Sequence, residues 1–270
     1  MESVKTTAVT ISTVAIVGHG LIGGSIALAL RSRAPGTRVI PLDRDDSLPA
    51  AAEADLVILS APVRANIENL RTLRPVISSR TLITDTGSTK VGIVSEGADL
   101  RFVGGHPVAG ATTSGAESAR ADLFVGRRWI LTPGDGGTQE DVNVLSVFVQ
   151  SLGAVPQIMG ADEHDRLFAY LSHLPQLTIS ALMHVIGEAV GRDGLAFAGS
   201  GLHDSTRLAS SAPTMWRDIL ADNHPNLAGA IDALIGVLQT LRSDISGDEL
   251  AHVFESARRA RSAIEATEQH

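Results

Sequence analysis

Over the first 160 residues, apolar positions gather into short runs separated by longer, helix-favouring stretches. The runs are VAIV (14–17), VIPL (39–42), DLVILS (55–60), TLITD (81–85), RFVGG (101–105) and RRWILT (127–132). Short apolar runs bounded by turn residues read as buried strands. Leu21–Arg33, Arg64–Leu73, Lys90–Glu96 and Gln139–Leu152 read as helices between them. Strands alternating with helices specify a parallel sheet covered on both faces. Beyond about residue 160 the runs stop. Residues 161–190 read as one long helix kinked at Pro175, whose ring removes a backbone donor. Further helices are expected at 213–222, 225–243 and 247–267. The pattern predicts a loose N-terminus (1–12), an α/β domain (13–160) and an all-helical domain (161–270).

The first strand runs into Gly18-His19-Gly20-Leu21-Ile22-Gly23, which opens a helix. In that context the glycines form a dinucleotide fingerprint. Gly18 permits the tight turn, Gly20 lets a pyrophosphate approach the backbone, and Gly23 lets helix and strand pack closely. Leu21 and Ile22 put their N–H groups at the helix N-terminus, where partial positive charge favours phosphate. The α/β domain is therefore read as doubly wound and Rossmann-type. Asp43 lies 20 residues past Gly23, at the end of the second strand. A carboxylate there accepts ribose hydroxyls and repels a 2′-phosphate, which favours NAD over NADP. Arg44 beside it pulls the other way. Ser60, Ala61 and Pro62 close the third strand and are expected to line the cofactor cleft, because ligands in such sheets lie across the carboxyl ends of the strands.

Ser88, in DTGSTK, has two readings: a helix N-cap, or a hydroxyl at that same sheet edge. GGHPVAGATTSG (104–115) has little to bury and reads as a loop holding His106 in the open. Three successive strands then deliver SAPV, DTGSTK and GGHP to one edge. His164 and His173 lie nine residues apart, half a turn out of phase on a straight helix. A shared metal site is not expected there, and HxxxH spacing is absent. Gly201-Leu202-His203-Asp204-Ser205-Thr206-Arg207 precedes Trp216; an arginine in a glycine-led loop suits a carboxylate clamp.

Composition narrows the classes. Net charge is −8, aromatics are 3%, and no Lys/Arg cluster marks a nucleic-acid footprint. No apolar run is long enough for a membrane span. Cysteine is absent, which removes disulfides, thiolate ligation and thiol catalysis. The first residues show no basic segment followed by an apolar core, so a cytoplasmic protein is expected.

VGHGLIGGSIALAL, TDTGSTK, FVGGHPVAG, EHDRLFAYLSHLP and HDSTRLASSAPTMWRDI occur in this order. Together they resemble the prephenate dehydrogenase family, which includes arogenate dehydrogenases. The resemblance covers about residues 13–265. It implies NAD-dependent oxidative decarboxylation on the route to tyrosine: hydride leaves the carbon bearing the ring hydroxyl, CO2 departs and the ring becomes aromatic. By resemblance His106 accepts the hydroxyl proton and Ser88 helps orient that hydroxyl. Arg207 grips the ring carboxylate, His173 is a second active-site histidine, and Trp216 lies near the substrate side chain. The family's helical domain builds a homodimer. Three positions depart from the family pattern: Ala111-Thr112 after HPVAG, Gln176 closing the SHLP motif, and His203 before the Asp of the arginine loop. All three fall near the expected substrate side chain, so prephenate, arogenate and an amino-substituted prephenate stay open. A β-hydroxyacid dehydrogenase would use a lysine of the helical domain, but the only lysines are Lys5 and Lys90. A non-catalytic NAD-binding dimer would have no use for Ser88, His106, His173 and Arg207 together.

Overall fold

The computed structural model describes residues 11–43, 46–109 and 115–268. Its first four strands are β1 (Thr13–Val17), β2 (Arg38–Leu42), β3 (Leu56–Leu59) and β4 (Leu82–Asp85). They form a parallel sheet in the order β2-β1-β3-β4. Helices α1 (Leu21–Arg33), α2 (Val63–Leu73) and α3 (Val91–Glu96) connect or follow these strands. β3 and β4 are buried along their whole length, as strands covered on both faces must be. The two-residue strand period sorts their side chains. Val14, Ile16, Leu56 and Ile58 pack with Ile26 and Leu30 of α1, whereas Ala15, Val17, Val57 and Leu59 pack with Leu70 and Leu73 of α2. β2 is an edge strand, which is why it tolerates Pro41. From β1 the chain moves outward to β2, then returns past β1 to β3. The carboxyl ends of β1 and β3 therefore flank the switch point at which open α/β sheets bind ligands.

Three more strands, β5 (Val103–Pro107), β6 (Arg128–Pro133) and β7 (Val155–Ile158), form a second ladder in that order. Phe102 bridges Ile83 in parallel, so β5 runs alongside β4. Two features differ from the sequence expectation. β6 runs antiparallel to β5, because the described part of the link holds only a short 3-10 turn (Ala116–Ser118) and no crossover helix. β7, which follows α4 (Gln139–Ser151), is absent from the sequence reading. It is four residues long, largely exposed and contains Pro156, so it carries no apolar run.

The long helix is three pieces: α5 (Ala161–Phe168), a π-helical turn (Ala169–His173) and α6 (Leu174–Leu195). The wider turn falls just before Pro175, where the ring would otherwise meet the carbonyl one turn back. α6 breaks at Gly191, whose φ is 61°. Next come α7 (Ser200–Ser205), a 3-10 turn (Arg207–Ser210), α8 (Pro213–Asp222), α9 (His224–Ser243) and α10 (Asp248–Glu268). The chain divides into two compact units, the first ending at His224 and the second beginning at Pro225. The first unit thus continues past residue 160, because α5 packs on α3 and β6. No helix among the described residues is long and apolar enough to cross a membrane.

Candidate active site

The β1–α1 turn meets the demands of a dinucleotide fingerprint. Gly18 has φ 100°, and a Cβ there would lie 2.8 Å from the Ser60 backbone. A Cβ at Gly23 would fall on the Gly18 carbonyl oxygen. Gly20 differs: its φ of −74° suits any residue, and a Cβ would meet nothing within 4 Å. Nothing in the fold demands glycine at position 20, so the open space there fits an approaching pyrophosphate. Gly20→Val is therefore expected to leave stability within about 0.5 kcal/mol. It should weaken NAD+ binding at least about tenfold; calorimetric titration beside a denaturation curve checks both.

Leu21 and Ile22 open α1 and lean on the core below it. Ser60 donates its N–H to the Val17 carbonyl at 2.7 Å and accepts from the Thr86 hydroxyl at 3.1 Å. Buried Asn66 pins this corner: its Oδ1 accepts from Ala61 N at 3.0 Å and its amide donates to the Leu59 carbonyl at 3.1 Å. Pro62 is the N-cap of α2. Asp43 stands just past β2, its N–H donating to Asp46 Oδ2 at 2.7 Å. A short 3-10 helix (Leu48–Glu53) replaces the usual crossover helix there. Arg44 and Thr112 lie outside the described residues.

His106 is not on a loop. It belongs to β5, opposite Ile130, and its ring is half-buried. The flanking glycines serve close packing: a Cβ on Gly104 would fall on the Thr132 hydroxyl, and one on Gly105 on the Asp85 carbonyl. His106 Nδ1 lies 2.8 Å from His164 Nε2, and His164 Nδ1 lies 2.8 Å from Asp165 Oδ1. Asp165 also accepts from the backbone N–H of Lys90 (2.8 Å) and Val91 (2.9 Å), so a side chain of α5 caps α3. Lys90, not Ser88, occupies the N-cap position of α3. Ser88 is half-buried on the turn after β4, at the sheet edge that β5 shares. Beneath this layer Lys90 Nζ meets Asp85 Oδ2 at 2.5 Å, with both side chains at most 1% exposed. Asp85 also accepts from Gly87 N (2.7 Å) and Gly105 N (2.9 Å), which ties the turn to the strand carrying His106.

His173 and Trp216 form a second cluster. Asn223 donates its amide to the Asp165 carbonyl at 2.7 Å and faces His173 Nδ1 at 3.1 Å. The indole of Trp216 meets His173 nearly edge-on, with centroids 6.1 Å apart. His173 Nε2 and Trp216 Nε1 are both buried without a hydrogen-bond partner. Two unanswered buried donors on neighbouring rings suit an incoming oxygen group. Arg207 is exposed at the start of its 3-10 turn. With His203, Asp204, Thr206 and Ser210 it lines a cavity of about 410 Å³. Buried Gln176 donates to the Leu208 carbonyl at 2.8 Å and accepts from the Ser211 hydroxyl at 3.2 Å, bracing that turn.

The half-turn phase between His164 and His173 is not what the structure shows. The intervening π turn shifts it by about a quarter turn, and both rings are fully buried and linked through Asp165 and Asn223. His164, Asp165, Phe168 and Asn223 are missing from the sequence-derived site. EHD belongs to the EHDRLFAYLSHLP segment that carries the resemblance, but residue types alone cannot show that α5 brings it against His106.

Burial pushes the His106 pKa well below that of a free imidazole, helped by repulsion from His164 when protonated, from Lys90 and from His173 when protonated. Burial also lowers His164, against the pull of Asp165, and lowers His173 to about 4. Burial would raise Asp165, but hydrogen bonds from His164, Val91 and Lys90 hold it low. The three histidines carry a stability consequence. Their folded pKa values are depressed, so the unfolded chain binds more protons below about pH 6.5. Their contribution is complete above that pH and is lost as pH falls toward the folded values, about 4 for His173. Each histidine should remove up to about 1.4 kcal/mol per pH unit within that window. Urea midpoints at pH 7.5 and 5.5 should show the fall, and His173→Asn should make it shallower.

A Rossmann-type parallel sheet with a phosphate-ready turn, a buried histidine cluster at its edge and a helical C-terminal part define a dinucleotide-dependent dehydrogenase. Two family models match in tandem. The nucleotide-binding domain of prephenate dehydrogenase matches residues 22–157, and the prephenate dehydrogenase dimerization domain matches residues 160–257. The prephenate dehydrogenase of Bacillus subtilis is 34% identical over 268 residues, covering 90% of this chain and 72% of that protein. The cyclohexadienyl dehydrogenase of Zymomonas mobilis is 31% identical, covering 93% of this chain and 95% of that one. The crystal structure of A. aeolicus prephenate dehydrogenase, in complex with hydroxyphenyl propionate and NAD+, superposes with a TM-score of 0.87. It is 28% identical and covers 96% of this chain and 100% of its own. The chain belongs to the prephenate dehydrogenase family.

Proposed function

We propose that this protein oxidises prephenate with NAD+, yielding 4-hydroxyphenylpyruvate, CO2 and NADH. The observation that carries the reading is His106, half-buried beside His164 at the sheet edge on which the glycine turn opens. Gly18, Gly20, Leu21, Ile22 and Gly23 would hold the pyrophosphate, and Ser60, Ala61 and Pro62 the cleft wall. Asp43 would hold the ribose hydroxyls, which selects NAD over NADP. NAD+, when bound, supplies the hydride acceptor. His106, uncharged at neutral pH, takes the ring-hydroxyl proton as the hydroxyl carbon is oxidised. Ser88 orients that hydroxyl. Arg207, on a turn braced by Gln176, grips a carboxylate and fixes the ring for reaction. His173 and Trp216 offer their free N–H groups to a substrate oxygen. His203 stands beside the cavity at Arg207, and Thr112 belongs to the same site by resemblance.

Arogenate is the second reading. Gln176 puts a neutral amide where the family pattern has histidine, and a less basic surrounding favours a side chain bearing an ammonium group. On either reading we place residues 13–160 as the nucleotide-binding part and 161–270 as the substrate and dimerisation part of a cytoplasmic homodimer. Exposed Leu171, Val185 and Phe197, the last 91% exposed, support an apolar protein contact. Incubation with NAD+ and either substrate, followed by NADH absorbance and product identification, tests the reading. NADH with 4-hydroxyphenylpyruvate is expected; NADH with tyrosine only from arogenate would move the assignment to the amino acid. No turnover of either would overturn both.

A further inference from the structure

We propose that His164 and Asp165 are positioning residues that hold the His106 proton on Nδ1, leaving Nε2 as the proton-accepting atom. The inference rests on the reading of His106 as the base and deepens it.

The argument starts from groups whose roles are fixed. The backbone N–H groups of Lys90 and Val91 can only donate, and both point at Asp165. Asp165 is therefore an accepting carboxylate, and the third group on it, His164 Nδ1 at 2.8 Å, must donate. A neutral imidazole has one N–H, so His164 Nε2 presents a lone pair. His106 Nδ1 is 2.8 Å from that lone pair and must be the donor. The remaining nitrogen of His106, Nε2, is then an acceptor. A cationic His164 would reverse the second bond, but its side chain is 0% exposed and the Lys90 ammonium group is already nearby.

Phe168 fixes both rings, stacking on His164 with centroids 4.4 Å apart and tilting against His106 at 4.7 Å. When His106 Nε2 takes the hydroxyl proton, the cation already has its Nδ1–H directed at His164, and His164 has its own directed at Asp165. The charge is stabilised through two aligned hydrogen bonds, and no proton need move along them. The strand and the helix that meet here are 58 residues apart in sequence.

The test reads tautomers and rates together. In ¹⁵N-histidine NMR of the unmodified protein, His106 is expected as the Nδ1–H tautomer; finding it as Nε2–H overturns the proposal. In Asp165→Ala no side-chain acceptor remains for the His164 Nδ1–H, so nothing holds the lone pair of His164 on Nε2. The Nδ1–H form of His106 should lose population, and kcat should fall about 10²–10⁴-fold with KM within about threefold. Unchanged tautomer and rate in this variant would overturn the proposal. Should that variant not fold, His164→Gln and His164→Leu decide. Glutamine keeps an acceptor for His106 and should stay within about tenfold of the parent kcat, whereas leucine should lose about 10²-fold. Equal rates for the two would mean that His164 only packs. The outcomes separate from those of the functional reading: correct tautomers with no turnover of prephenate or arogenate sink the function alone, and an inactive His106→Asn beside a fully active Asp165→Ala sinks the relay alone.

Discussion

Replacing His106 by asparagine is expected to lower kcat by about 10²–10⁴-fold, the usual value of a positioned base. NAD+ affinity should be unchanged, because His106 lies on β5 and the glycine turn on β1. Asparagine is small enough for the strand and leaves His164 with a polar neighbour, so the fold should persist. The pH profile adds a second readout. Burial holds His106 well below the usual imidazole range, so its neutral form persists on the acid side of neutrality. The acid limb of kcat/KM in the parent enzyme should therefore fall below pH 6.5, and the asparagine variant should lose that limb. Steady-state kinetics across pH 5–9, with product identification, checks both. A variant within threefold of the parent would remove His106 from the chemistry.

The largest effect on stability is expected from Asp85→Ala. Lys90 would remain with its side chain 0% exposed and without its counter-charge. Breaking a buried pair from one side costs about 3–5 kcal/mol, because the surviving charge is neither hydrated nor compensated. The same change removes the acceptor for Gly87 N and Gly105 N, so the turn and the strand before His106 loosen together. The double variant Asp85→Ala, Lys90→Met removes both charges and should recover part of the loss, since apolar replacements of buried pairs are often near neutral. Urea denaturation of the parent, both single variants and the double variant gives the coupling directly. A double variant no more stable than Asp85→Ala would mean that the cost lies in the lost backbone acceptors and not in the stranded lysine.

Much of the site was legible in the residues because its parts are local. A glycine fingerprint works through backbone geometry within six residues, so Gly18, Gly20 and Gly23 could be read from their spacing, and the space around each fits that reading. The strands feeding one sheet edge followed from alternating runs, and a resemblance spanning the chain then attached roles to Ser88, His106, His173 and Arg207. Legibility ended where partners come from distant segments. Gly104 and Gly105 fit both the end of the predicted strand RFVGG and the start of a loop holding His106, because two glycines bury no side chain. Their tight fit against Asp85 and Thr132 places them in the strand, and the pairing with β6 carries that strand on through His106. Lys90 carries no role in the sequence beyond opening a predicted helix, yet it is among the most deeply buried side chains of the described residues.

The sequence by itself determined the order of strands and helices through β6, the Rossmann-type sheet, the helical second half, the glycine turn and the histidine near the sheet edge. These rest on periodicity, glycine stereochemistry and short motifs, each a property of neighbouring residues. Tertiary structure alone decided that β6 turns antiparallel, that Asn223 links His173 to the Asp165 backbone, and that Asp165 caps α3 while holding His164 against His106. Each of these depends on which segments pack together across tens of residues. A buried polar group must find a partner wherever the fold supplies one, and no local pattern records where that partner will be.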